Sequence, residues 1–125
     1  MKKTVLLIED DPLILMDVEA ALIDEGFEII TAENGTLAIE AFEADASRID
    51  AVVTDIRLGT GPSGWDIGHR VREAVPSMPL VYMTGDSSHE WEAHGVPFSV
   101  MVSKPFVHAQ IITALATLMN NPDQT

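Results

Sequence analysis

Short apolar runs alternate with helical patterns along the whole chain, and this alternation restricts the possible fold more than any other feature. Four of the runs end in a polar side chain: residues 5–8 lead into Glu9-Asp10-Asp11, residues 51–54 into Asp55, residues 80–83 into Thr84, and residues 99–103 into Lys104. A fifth short strand is predicted at Phe27–Thr31. Strand and helix patterns in strict alternation are typical of a parallel sheet covered by helices.

Helix signals lie between the runs. Asp11-Pro12 is a capping residue followed by proline, and Gly26 is a natural stop for the helix between them. Asn34 is expected to cap a second helix. Turn formers fill residues 58–64 and precede a third helix that ends before Pro76. A weak helix candidate covers 86–93, and an amphipathic pattern predicts a final helix over 107–119.

These five β-α units predict a doubly wound, flavodoxin-like α/β fold, a five-stranded parallel sheet with strand order 2-1-3-4-5 and helices on both faces. We expect one domain over residues 1–120 and a flexible tail over 121–125. The predicted order places the first and third strands side by side, so that Glu9, Asp10 and Asp55 meet at one edge of the sheet.

Composition excludes several classes of protein. With 125 residues there is room for one compact core, and no apolar stretch approaches the roughly 20 residues that span a bilayer. The apolar run after Lys2 and Lys3 is too short for a secretory signal, and the chain has no cysteine for disulfides or thiolate metal sites. We therefore expect a cytoplasmic protein without membrane contact. A net charge of −13 argues against direct nucleic-acid binding.

The clustered acids predict a metal site. Three crowded carboxylates repel one another, and a hard divalent cation such as Mg²⁺ relieves that repulsion, with Mn²⁺ as an alternative. Asp55 would then be a nucleophile that forms an acyl phosphate. The Lys104 ammonium and the Thr84 hydroxyl would each contact an oxygen of the transferred phosphoryl group, since catalysis of phosphoryl transfer is mostly positioning and electrostatics.

Four stretches carry a resemblance to a known family: Val5-Leu6-Leu7-Ile8-Glu9-Asp10-Asp11-Pro12, Val52-Val53-Thr54-Asp55, Tyr82-Met83-Thr84-Gly85 and Ser103-Lys104-Pro105-Phe106. Over essentially its full length the chain resembles a bacterial two-component response-regulator receiver domain of the chemotaxis-regulator (CheY-like) type. Because no output domain fits in this length, we expect the stand-alone, single-domain type.

The resemblance implies a role for each residue of the site. Asp55 would accept a phosphoryl group from a phosphohistidine on a sensor histidine kinase or a histidine phosphotransfer protein. Asp10 would bind Mg²⁺ directly, Glu9 through water, and Arg57 through its backbone carbonyl. Asp86 stands where receivers tune the lifetime of the phosphoryl group, and Lys104-Pro105 would be a cis peptide. The last strand and helix would contact a downstream protein target or a second copy in a homodimer.

The chain also departs from the family pattern. Receivers usually carry proline four residues after the acceptor aspartate, where this chain has Gly59, and the loop to Gly64 is one residue longer. Met101 stands where the family often has an aromatic switch residue. Residues 79–85 are similar to a subgroup with Pro-x-x-aromatic-x-Thr-Gly, so Tyr82 or Trp91 is a candidate for the aromatic role.

Simpler interpretations compete with these roles. Asp11 is assigned to the helix cap, and the guanidinium of Arg57 would pair with Glu9 or Asp86 or face solvent. The four histidines lack a shared short spacing for zinc, and the tryptophans are interpreted as packing residues.

Other functions remain as alternatives to the phosphoacceptor switch, which is itself a signalling domain and not an enzyme acting on other substrates. A pseudo-receiver would use the same fold purely for protein interaction. A phosphatase would need an acid where Arg57 stands, and a flavin-binding domain would need a hydroxyl- and glycine-rich loop after the first strand.

Overall fold

The computed structural model describes residues 2–85, 95–104 and 108–120. In these residues five parallel strands form one sheet in the order β2-β1-β3-β4-β5. The strands are β1 (Thr4–Ile8), β2 (Glu28–Ala32), β3 (Ala51–Asp55), β4 (Leu80–Thr84) and β5 (Ser99–Ser103). The helices are α1 (Pro12–Asp24), α2 (Gly35–Asp45), α3 (Gly64–Ala74) and α4 (His108–Met119), and a 3₁₀ turn at Ala46–Arg48 follows α2. The predicted fold class and strand order are confirmed.

The three central strands, β1, β3 and β4, are buried on both faces of the sheet. Leu6 and Ile8 of β1 belong to a core cluster that also holds residues of α2 and α3. Val5 and Leu7 of the same strand belong to a second cluster, which holds residues of α1 and α4. Alternate strand residues point to opposite faces. A sheet covered on both sides needs apolar side chains at nearly every strand position, which explains the continuous runs in the sequence.

Side-chain caps fix the helix starts. The Asp11 carboxylate accepts from the N–H of Leu13 at 2.9 Å, and the Asn34 side chain accepts from the N–H of Leu37 at 2.8 Å. Both predicted caps are thus present. The second strand begins one residue later than predicted, because the N–H of Phe27 still bonds to the Leu22 carbonyl at the end of α1.

Contacts between distant segments complete the fold. Nε2 of His108 lies 3.0 Å from Oδ2 of Asp17, which ties the start of α4 to α1. His108 therefore has a specific partner, although its sequence context suggests only a surface histidine.

No helix in the described ranges is both long and apolar enough to cross a bilayer.

Some predictions fall elsewhere in the chain. The helix predicted over 86–93, the Asp86 and Trp91 side chains, the Lys104-Pro105 peptide and the tail over 121–125 lie outside the described residues.

Candidate metal centre

Three carboxylates meet where β1 and β3 end. Ile8 and Thr54 are partners in the sheet register, so Glu9, which follows β1, lies beside Asp55, the last residue of β3. Carboxylate oxygens of Glu9, Asp10 and Asp55 all lie within 4.8 Å of one another. The Glu9 and Asp55 residues are buried and Asp10 is exposed, so the cluster opens to solvent on one side. The convergence expected from strand order is present.

Lys104 brings a positive charge to this cluster from the end of β5. Its Nζ lies 3.2 Å from Oε1 of Glu9 and 3.3 Å from Oδ2 of Asp55. The N–H of Lys104 donates to the Thr84 carbonyl at 2.6 Å, which fixes the backbone beside β4. Burial alone would lower the pKa of Lys104. The nearby Asp55 and Glu9 carboxylates have the larger effect, and together they raise that pKa. The lysine therefore stays charged between the two acids.

Glu9 is the most perturbed acid of the cluster. Burial raises the pKa of Glu9 to about 7, with the Asp55 charge adding to the effect. The N–H of Asp11, which donates to Oε2 at 3.1 Å, and the Lys104 ammonium pull the pKa in the opposite direction. Without a metal, Glu9 competes for a proton near neutral pH. The donor set therefore fits a hard divalent cation, because only oxygen ligands are present and their charges are undercompensated.

Asp55 is held by its own backbone surroundings. Its Oδ1 accepts from the N–H of Ile56 at 2.8 Å, while Oδ2 faces Lys104. The Thr54 hydroxyl donates to the Asp55 carbonyl at 2.8 Å. Gly64, the first residue of α3, packs on the same carbonyl so closely that a Cβ at this position would overlap it. The Asp55 carboxylate is thus oriented by Ile56 and Lys104, and its backbone carbonyl by Thr54 and Gly64.

The loop after Asp55 explains one departure from the family pattern. Gly59 has φ 77°, a left-handed conformation that proline cannot adopt. Leu58 is buried in the core and Arg57 is exposed, so the loop is anchored next to the site while its tip faces solvent. Pro62 lies against Gly35 at the start of α2, where a Cβ would overlap the Pro62 carbonyl.

Thr84 lies at the same edge, at the end of β4, and is buried. Tyr82 and Met101 are partners in the β4–β5 register, so the two candidate switch positions are neighbours. Tyr82 is fully buried and Met101 is half-buried. The roles predicted for Thr84, Tyr82 and Met101 stay predictions.

Three features were not expected from the sequence. Ser63 and Asp66 form a capping box at the start of α3, a pattern that the Ser-x-x-Asp spacing could have predicted. The close packing of Gly64 on Asp55 and of Gly68 on Tyr82 depends on the path of α3 over the sheet, and local sequence does not specify that path.

Comparison with known proteins shows the family of this chain. The response regulator receiver domain family matches residues 5–116. A response regulator receiver protein from Sinorhizobium medicae WSM419 has a solved structure that is 43% identical, with a TM-score of 0.92 over 95% of both chains. A receiver domain protein from Clostridium thermocellum is 25% identical, with a TM-score of 0.85 over 97% of both chains.

A curated relative extends beyond this chain. The probable transcriptional regulatory protein TcrX of Mycobacterium tuberculosis is 33% identical over 124 residues, which are 98% of this chain and 52% of that protein. The chain spans about half the length, or less, of the first curated relatives it matches. Because the family match covers most of its length, the chain belongs to the response regulator receiver domain family, the signalling domains of two-component systems.

Proposed function

We propose that Asp55 accepts a phosphoryl group in a Mg²⁺-dependent reaction and that the phosphorylated domain signals by protein contact. The donor would be a phosphohistidine on a sensor histidine kinase or a histidine phosphotransfer protein. One observation carries the proposal: Glu9, Asp10 and Asp55 gather their carboxylates within 4.8 Å while Lys104 contacts the acceptor. A structural acid at a strand end would not need two further acids and a half-buried ammonium around it.

Each residue has a role in the proposed transfer. Glu9, Asp10, Asp55 and the Arg57 carbonyl would hold the metal, Glu9 through water; Mn²⁺ is an alternative ion. Bound there, the cation would offset the charge of the carboxylates and of the incoming phosphoryl oxygens. An Asp55 carboxylate oxygen attacks phosphorus, the P–N bond to the donor imidazole breaks, and the imidazole leaves with the electron pair and takes a proton from solvent.

Lys104 and Thr84 would stabilise the group once transferred. The Lys104 ammonium already contacts Oδ2 of Asp55 and would shift from the carboxylate to a phosphoryl oxygen, where it neutralises charge. The Thr84 hydroxyl at the end of β4 would donate a hydrogen bond to another phosphoryl oxygen. Asp86 would tune the attack of water that ends the signal, and a cis Lys104-Pro105 peptide would shape the loop that carries the lysine.

Outward signalling is proposed for the β5–α4 face. A groove there is lined mainly by apolar or small side chains, among them Val100, Val102, Ala109 and Ala114. This face would contact a downstream protein or a second copy of the chain. The domain over residues 1–120 would act in the cytoplasm, with residues 121–125 as a flexible tail.

A phosphodonor assay tests the proposal. Incubation with acetyl phosphate and Mg²⁺ should give an acid-stable, base-labile phosphoryl adduct in the intact mass, and Asp55→Asn should lose it. Asp24→Asn, which makes the same change at an exposed aspartate at the end of α1, is the matched control and should keep the adduct. No adduct at any Mg²⁺ concentration would favour the pseudo-receiver, and rapid continuing consumption of the donor would favour a phosphatase.

A further inference from the structure

Tyr82 connects the strand that carries Thr84 to the interior of the protein. It is fully buried in the middle of β4. In the sheet register it lies between Thr54 of β3 and Met101 of β5. Residues two apart on a strand point to the same face, so Tyr82 lies in the row of side chains next to Thr84. A shift of the Tyr82 ring therefore acts on the backbone that holds the Thr84 hydroxyl.

Trp65 connects the same ring to Asp55. The ring centroids of Trp65 and Tyr82 are 4.7 Å apart and the rings are tilted by 56°, a favourable aromatic arrangement. Trp65 is the second residue of α3 and directly follows Gly64, which packs on the Asp55 carbonyl. The N–H of Gly64 also donates to the Ile56 carbonyl at 2.8 Å. The start of α3 therefore packs on the Asp55 backbone, and the next residue, Trp65, packs on Tyr82.

Gly68 fixes the other end of the tyrosine. A Cβ on Gly68 would overlap the Tyr82 hydroxyl and would lie 3.0 Å from its Cζ, so the ring fills a notch that only glycine leaves open. Burial raises the pKa of Tyr82 to about 12, although the Val96 backbone and Arg72 offset part of the effect. Within the described residues the hydroxyl has no hydrogen-bond partner of normal geometry. The ring is thus held mainly by packing.

We propose that Trp65 and Tyr82 are a positioning pair that fixes Asp55, through the start of α3, relative to Thr84, through β4, and so sets the lifetime of the phosphoryl group on Asp55. The inference rests on the proposed function. Hydrolysis of the acyl phosphate needs water to attack phosphorus while the P–O bond to Asp55 breaks and inorganic phosphate leaves. Its rate depends on how the Thr84 hydroxyl and the phosphoryl oxygens are placed.

A double-mutant cycle on the adduct lifetime tests the pair. Tyr82→Leu and Trp65→Leu each remove one ring, and each should change the half-life of the Asp55 adduct by about three- to tenfold. The double variant should change it no further, because either single change already breaks the contact. Tyr82→Phe keeps the ring and loses only the unpartnered hydroxyl, so its half-life should stay within about twofold of the wild type.

Phe42→Leu is the matched control for lost stability. Phe42 is buried in the same core cluster but lies on α2. This variant should be less stable in urea and still show the wild-type half-life. Wild-type half-lives in Tyr82→Leu, additive effects in the double variant, or an equal change in Phe42→Leu would each overturn the positioning pair. Absence of any adduct on the wild type would instead overturn the proposed function and the inference together.

Discussion

Glu9 and Lys104 lie in contact at the sheet edge, and the charge of Glu9 there depends on pH. The pKa of Glu9 is about 7 in the folded protein against 4.5 for an ordinary glutamate. The folded state therefore binds the Glu9 proton more tightly than the unfolded state does. The resulting stability is fully present below about pH 4.5 and is lost as the pH rises through about 7.

Glu9→Gln should therefore change the pH dependence of stability in metal-free protein. Between about pH 4.5 and about pH 7 the free energy of unfolding should fall less steeply in the variant than in the wild type. The difference should accumulate to an order of 2–3 kcal/mol. Urea unfolding at a series of pH values measures it, and Glu40→Gln, which removes one exposed charge elsewhere, controls for net charge. Parallel curves for Glu9→Gln and the wild type would contradict the assignment.

Lys104 should affect metal binding and phosphorylation in opposite directions. The ammonium occupies the carboxylates that the metal would use, so Lys104→Met should tighten Mg²⁺ binding by about fivefold, or roughly 1 kcal/mol. The same change should slow adduct formation, because no ammonium is left for the phosphoryl oxygens. Calorimetric Mg²⁺ titration and adduct kinetics on one preparation measure both effects. Weaker Mg²⁺ binding in the variant would show that Lys104 orders the acids and does not compete for them.

Two glycines allow helix α3 to pack closely on the sheet. Gly64 allows the helix to touch the Asp55 carbonyl, and Gly68 allows it to close over Tyr82. Gly68→Ala should destabilise the protein by about 1–3 kcal/mol, because the new methyl group overlaps the Tyr82 hydroxyl. Gly85→Ala is the control, since nothing lies within 4 Å of a Cβ at that position.

Removing the Tyr82 hydroxyl should reduce the loss of stability that Gly68→Ala causes. In a Tyr82→Phe background the overlap at Gly68 disappears, and the 3.0 Å approach to Cζ remains. Gly68→Ala should then cost less than in the wild type, and chemical denaturation of the four proteins gives the coupling energy. Equal costs in both backgrounds would mean that α3 moves away and that the notch does not hold the ring.

For the whole molecule, charge and metal binding are linked. The acidic side chains give the protein a net charge of −13 and repel one another in the folded state. Three of these acids lie together at one edge of the sheet. Mg²⁺ should therefore raise the melting temperature more than NaCl of equal ionic strength does, because it binds a specific site as well as screening charge. Asp10→Asn should reduce the difference between the two salts. Thermal unfolding in matched buffers measures it, and identical curves in both salts would argue against a specific ion site.

The sequence predicted the features that depend on strand order and local capping. The apolar runs gave the parallel sheet, and the 2-1-3-4-5 order brought Glu9 and Asp10 beside Asp55. The sequence did not predict distances that depend on how the helices pack on the sheet, such as the Trp65–Tyr82 distance. That packing is determined by residues that are distant from one another in the chain. The raised pKa of Glu9 likewise follows from burial in the folded protein.

A crystal structure of the protein soaked in Mn²⁺ would show whether Glu9, Asp10 and Asp55 form a metal site, because Mn²⁺ replaces Mg²⁺ and its anomalous scattering locates the ion. We expect one strong peak at about 2.1 Å from carboxylate oxygens of Asp10 and Asp55, with Glu9 one water molecule further away. A peak elsewhere, or a site with no peak and Lys104 still between Glu9 and Asp55, would contradict it.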